Sequence, residues 1–149
     1  MVTTSPPVGS RKWVTLSFVS TLYLHPVLEL LLENVPHNWH AEVRLGLQEA
    51  LVNAAKHGNR LDPAKQILVR HATLGGRHWW IISDQGSGFH HPCNCEEAFA
   101  ENCSPNPNDC GRGLFILYQI FDEVKWHQGG RELHLCKVLQ QHRRLPLIC

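Results

Sequence analysis

The chain has 149 residues, 43% of them apolar and 18% charged, with a formal net charge of +1 at neutral pH. A chain of that length fits one domain with a real core, and the composition excludes a disordered tail. The small net charge excludes broad attraction to nucleic acid or to an anionic membrane, so any phosphate binding must come from a local site.

Residues 1–12 are rich in Pro, Ser, Thr and Gly and read as a flexible leader, ahead of a domain over 13–140 and a C-terminal tail over 141–149. The leader lacks the apolar core of an export signal, and no stretch approaches the length of a membrane span. The six cysteines are therefore expected as thiols in the cytoplasm. Eleven histidines make the charge sensitive to pH below neutrality.

In chain order, Val14, Leu16 and Phe18 alternate with Thr15 and Ser17, the period of a half-buried strand. Pro26 suits a first helical turn, Val27, Leu28, Leu31 and Val35 follow at helical spacing, and Pro36 ends that helix. Asn38 to Gly58 predicts a long helix with Asn38 as its N-cap and Gly58-Asn59 as its stop. Val43, Leu47, Ala50, Leu51 and Ala54 share its apolar face. Glu42, Glu49, Asn53, Lys56 and Arg60 form a narrow polar stripe beside that face.

Ile67–Leu74 and His78–Ser83 flank Gly75-Gly76, a hairpin signal, and Trp79 to Ile82 is continuously apolar, as in a central strand. Val124–His127 and Arg131–Leu139 flank Gly129-Gly130 in the same way. Between the hairpins runs a lid-like insert, Phe89–Cys110, and then a short helix, Gly113–Phe121. The expected fold class is α+β: a two-layer sandwich with a mostly antiparallel sheet of about five strands and helices on one face.

Three blocks carry the chemistry. Glu49-Ala-Leu-Val-Asn53-Ala-Ala-Lys56-His57-Gly58 sets a carboxylate and an amide side by side on the long helix, where they can hold Mg²⁺ or position a hydroxyl. Asp84-Gln85-Gly86-Ser87-Gly88 follows the central strand with a fixed acceptor and glycines that admit a ligand closely. Gly111-Arg112-Gly113-Leu114 opens a helix, where backbone N–H groups and an Arg make a phosphate site.

In this order the blocks resemble the N, G1 and G2 boxes of the GHKL ATPase superfamily, which includes histidine kinases, gyrase, Hsp90 and MutL. Within it the chain is most similar to the bacterial anti-sigma factor serine kinases, through the Glu49–Gly58 block, the short lid, the Gly-Arg-Gly-Leu box and Phe121-Asp122-Glu123-Val124. The resemblance spans roughly Trp13 to Leu139 and implies the histidine kinase-like ATPase (Bergerat) fold.

It also implies roles. Asp84 would accept a hydrogen bond from the adenine amino group, with Gly86 and Gly88 shaping the base pocket. Asn53 would ligate the Mg²⁺ bridging the phosphates of ATP, and Lys56 is counted with the nucleotide-binding residues. Gly111, Arg112, Gly113 and Leu114 would meet the phosphates as the lid closes, and Glu49 would be the general base toward a protein serine. The implied partners are a sigma factor, an anti-sigma factor antagonist of the STAS type and a second copy in a homodimer.

The insert departs from the family pattern: His90, His91, Cys93, Cys95, Cys103 and Cys110 read as plain thiols and histidines, a metal site or a redox switch. Cys93-x-Cys95 is tighter than structural zinc spacing, which favours the thiols. Two other functions stay open. One is a non-catalytic ATP-binding module that regulates a partner. The other is a histidine kinase catalytic domain, which would need a helical segment with a phosphoacceptor His that the leader does not provide.

Overall fold

The structure is a computed structural model and describes residues 13–88 and 112–138. The leader, the cysteine-bearing insert with Gly111, and the tail lie outside the described residues. The elements run β1 (Val14–Val19), α1 (His25–Leu32), α2 (His40–Val52), β2 (Gln66–Leu74), β3 (Arg77–Ser83), α3 (Arg112–Ile120), β4 (Glu123–His127) and β5 (Glu132–Val138). The five strands form one sheet in the order β1-β2-β3-β5-β4, with every neighbouring pair antiparallel. The α+β architecture is as expected.

Strand register explains why the helices gather on one face. Leu16 lies opposite Val69, Val69 opposite Ile82, and Ile82 opposite Leu133, so apolar side chains line up across four strands. Leu28 and Leu31 of α1, Val43, Leu47 and Leu51 of α2, and Leu117 of α3 cover that row. Each such residue, fully buried, contributes about 1.5–3 kcal/mol relative to exposure. Trp80, wholly buried, anchors the layer with its ring edge-on to Phe121 at 5.8 Å between centroids. On the opposite face of β3, Trp79 and Ile81 are buried too, which is why this run lacks alternation.

Two helix boundaries differ from expectation. α1 stops at Leu32 rather than at Pro36, and Val35 reaches the core from the turn beyond it. The expected helix over 38–58 is three pieces: a 3₁₀ turn at His37–Trp39, α2, and a π turn at Asn53–Gly58. Asn38 is not an N-cap. Pro36, extended at ψ 137°, starts the 3₁₀ turn, and α2 begins after Trp39 without a side-chain cap. The wider π turn closes with Asn59 N–H donating to the Ala54 carbonyl at 2.8 Å, five residues back.

The polar stripe also divides. Glu42 pairs with Lys137 Nζ at 3.2 Å, two turns along the helix from Glu49, and Arg60 leaves the helix with φ +53°. Lys137 is itself buried, donating to the Ile120 carbonyl at 2.5 Å beneath the Trp39 ring. A cation at the last carbonyl of α3 favours that helix end. Asp122 completes the anchor by accepting the Val138 N–H at 2.7 Å. With its C-terminal end held, α3 directs its first turn toward Glu49.

Candidate functional site

The site grows from the cross-strand row. Ile82 of β3 pairs with Leu133 of β5, and Leu133 pairs with Trp126 of β4, so three apolar side chains form a floor. Two residues beyond Ile82 the strand period returns to the same face, and there stands Asp84. Ala50, Asn53 and Ala54 of the helix make the opposite wall, and Gly130 with Arg131 closes the hairpin side. The result is an apolar slot ending in a carboxylate.

Asp84 is held rather than loose. Its N–H donates to the Arg131 carbonyl at 3.0 Å, and its Oδ1 accepts the Gly86 N–H at 2.8 Å. Burial raises its carboxyl above the ordinary value, while the Gly86 amide and the Arg131 and Lys65 charges pull the other way. A side chain on Gly58 would strike this carboxylate, and one on Gly86 would strike the Gly58 carbonyl, so both glycines are set by close approach. Gly88, at φ +81°, lies against the Gly129 carbonyl.

At the other end of the slot, α3 meets α2. Glu49 Oε2 is 2.8 Å, and Asn53 Nδ2 3.7 Å, from the point where a Cβ on Gly113 would lie. The first and third blocks of the sequence therefore converge, although 64 positions separate Glu49 from Gly113 (113 − 49). Arg112 opens α3, and Leu114 packs partly buried against the core. Lys56 is exposed on the π turn and is not part of the slot wall.

Sequence reasoning missed Trp126, Gly130 and Arg131, which reach the slot through the pairing of β4 with β5. The available signal was the Gly129-Gly130 turn, which fixes the pairing and so brings Trp126 beside Leu133. It also read Asn59 only as a helix stop, whereas this side chain is fully buried.

A family model for the histidine kinase-like ATPase domain matches residues 25–137, more than half of the chain. The chain belongs to the histidine kinase-like ATPase domain family. That match runs from α1 to β5 and takes in every described residue of the slot. Comparison with curated proteins finds no match. The ATPase domain assignment agrees with the slot's polarity: a mostly apolar lining that ends in one fixed acceptor matches the chemistry of a purine carrying an amino group. Among the described residues no helix is long and apolar enough to cross a membrane, and the one free cysteine, Cys136, is buried with its thiol pushed up to about 11. The expected metal-or-thiol residues of the insert, His90 to Cys110, lie outside the described residues.

Proposed function

We propose that this ATPase domain is a cytosolic, ATP-dependent anti-sigma factor and protein serine kinase that phosphorylates a STAS-type anti-sigma factor antagonist, working as a homodimer. The observation that carries the reading is the convergence of Glu49 and Asn53 on Gly113. In this reading the Glu49 carboxylate suits a general base, the Asn53 side chain beside it would turn its amide oxygen to Mg²⁺, and the start of α3 suits phosphate.

In this reading Asp84 accepts the adenine amino group, with Gly86 and Gly88 lining the base end. Asn53 holds Mg²⁺, and Gly111, Arg112, Gly113 and Leu114 form the phosphate end, with Lys56 adding a cation. Bound Mg-ATP supplies a phosphoryl group made electrophilic by the metal. Glu49 takes the proton of the incoming serine hydroxyl as that oxygen bonds to the γ-phosphorus, and the bond to the β-phosphate oxygen breaks to leave ADP.

The test mixes the full chain, radiolabelled ATP and Mg²⁺ with candidate antagonist proteins from the same cell. Serine phosphate on one of them is the expected result. No transfer, with Mg-ATP still tightening a sigma-factor complex, would replace the kinase by a non-catalytic binding module, and label on a histidine would revive the histidine kinase reading.

A further inference from the structure

The fully buried Asn59 belongs to no block of the site, yet its side chain ties four parts of the fold together. Its Nδ2 donates to Ser20 Oγ at 2.8 Å, just past β1, and to the Gln66 carbonyl at 2.9 Å, at the start of β2. Its Oδ1 accepts the main-chain N–H of Gln85 at 2.7 Å. A backbone N–H must donate and a backbone carbonyl must accept, so these two partners fix which way the amide points.

Gln85 directly follows Asp84, and Gly86, whose N–H holds Asp84 Oδ1, directly follows Gln85. The Gly58 carbonyl, one residue before Asn59, is in contact with Gly86. The segment that carries the base acceptor is thus stitched to the end of the helix, and Asn59 supplies the only described side-chain acceptor for the Gln85 N–H. The π turn makes this possible by turning Asn59 inward from the helix end.

We infer that Asn59 is a positioning residue for base recognition: by holding Gln85 it sets the Asp84 carboxylate where a purine amino group is read. The inference rests on the adenine-reading role of Asp84. A short polar side chain with an acceptor at one end and two donors at the other is what the three partners require. Alanine would leave the Gln85 N–H, the Gln66 carbonyl and the Ser20 hydroxyl without this partner.

The test compares ATP with inosine triphosphate, which has an oxo group where adenine has its amino group. Affinities and thermal midpoints are measured for the full chain and for Asn59→Ala, Ser20→Ala and Asp84→Asn. The wild type is expected to prefer ATP on the order of tenfold or more, as a hydrogen bond to a charged group allows. Asn59→Ala should bring the ratio close to one. Ser20→Ala, which removes a partner on the far side of Asn59, should lower the midpoint and keep the ratio.

If Asn59→Ala lowers the midpoint but keeps the wild-type ratio, Asn59 is only structural and the base reading stands. An equal fall in ratio for Ser20→Ala assigns the effect to general loosening and overturns the inference. A wild type that does not prefer ATP, or an Asp84→Asn variant that keeps the preference, removes the base reading and this inference with it. Should Asn59→Ala fail to fold, amide hydrogen exchange on the unliganded wild type decides. The Gln85 amide should be as protected as those of β2, and fast exchange would overturn the claim.

Discussion

Glu49 Oε2 stands 2.8 Å from where a side chain on Gly113 would begin, so the carboxylate and the first turn of α3 share one space. Replacing Gly113 with Ala must therefore displace Glu49. The displaced atom is the end of a flexible side chain, so stability should change by less than about 1 kcal/mol. A shift of about 1 Å at a reacting group can cost on the order of 10²-fold in rate. Thermal unfolding and phosphotransfer assays on Gly113→Ala should accordingly diverge, and equal damage to both would show that Gly113 acts through the fold.

Gly46 gives the opposite case. A Cβ there would sit 2.6 Å from Phe121 Cε2 and 3.3 Å from Ile120 Cδ1, inside the packing of α2 on α3. Alanine gains about 1 kcal/mol of helix propensity, but overpacking a rigid core ring costs about 1–3 kcal/mol. Gly46→Ala should be net destabilising in urea unfolding with an unchanged m-value. Stabilisation would mean that Phe121 yields easily.

Much of the fold was legible because sheets and hairpins write local patterns. The alternation of Val14, Leu16 and Phe18 and the paired glycines at 75–76 and 129–130 mark strands and turns that the structure contains. The buried face of α2 was equally legible from Val43, Leu47, Ala50 and Leu51. What stayed hidden was what each face meets. A helical wheel groups Glu42 with Glu49, yet Glu42 is taken by Lys137 from β5. Asn59 looks like a polar helix stop until its three partners, from Ser20 to Gln85, are brought together. Trp126 and Arg131 join the site through the β4–β5 hairpin, whose Gly129-Gly130 turn is legible while the helix its side chains face is not.

Two of the eleven histidines give the protein a predicted acid sensitivity. His71 and His78 are both buried, each stacked on Trp80 at 5.8 Å between ring centroids. Burial pushes His78 down to about 4, with the His71 ring adding to the effect, and burial lowers His71 as well. The unfolded chain then binds more protons than the folded one, so stability must fall as pH falls. For His78 the loss begins near its ordinary value of 6.5 and levels off below about 4. The slope should not exceed about 1.4 kcal/mol per pH unit for each histidine. Urea midpoints from pH 7 to pH 4 should flatten in His78→Phe, and an unchanged slope would assign the acid sensitivity elsewhere.

Asn53 lines the slot between Glu49 and Asp84 and is proposed to reach the nucleotide through Mg²⁺. A metal-mediated role predicts that Asn53→Ala weakens Mg-ATP binding strongly but leaves ATP binding in EDTA nearly unchanged. Calorimetry in both buffers makes the comparison. The same loss with and without Mg²⁺ would make Asn53 a direct contact or a wall residue.

Glu49 carries the central claim, and its substitution tests that claim most directly. Glu49→Ala removes the carboxylate beside Gly113 without touching the base end of the slot at Asp84. A positioned general base contributes about 10²–10⁴-fold, and it acts on the serine hydroxyl rather than on the nucleotide. Single-turnover transfer from labelled Mg-ATP to the antagonist serine, measured alongside Mg-ATP affinity, should show transfer falling by that factor while affinity stays within about threefold. Transfer that survives at the wild-type rate, or affinity and transfer lost together, would contradict Glu49 as the base.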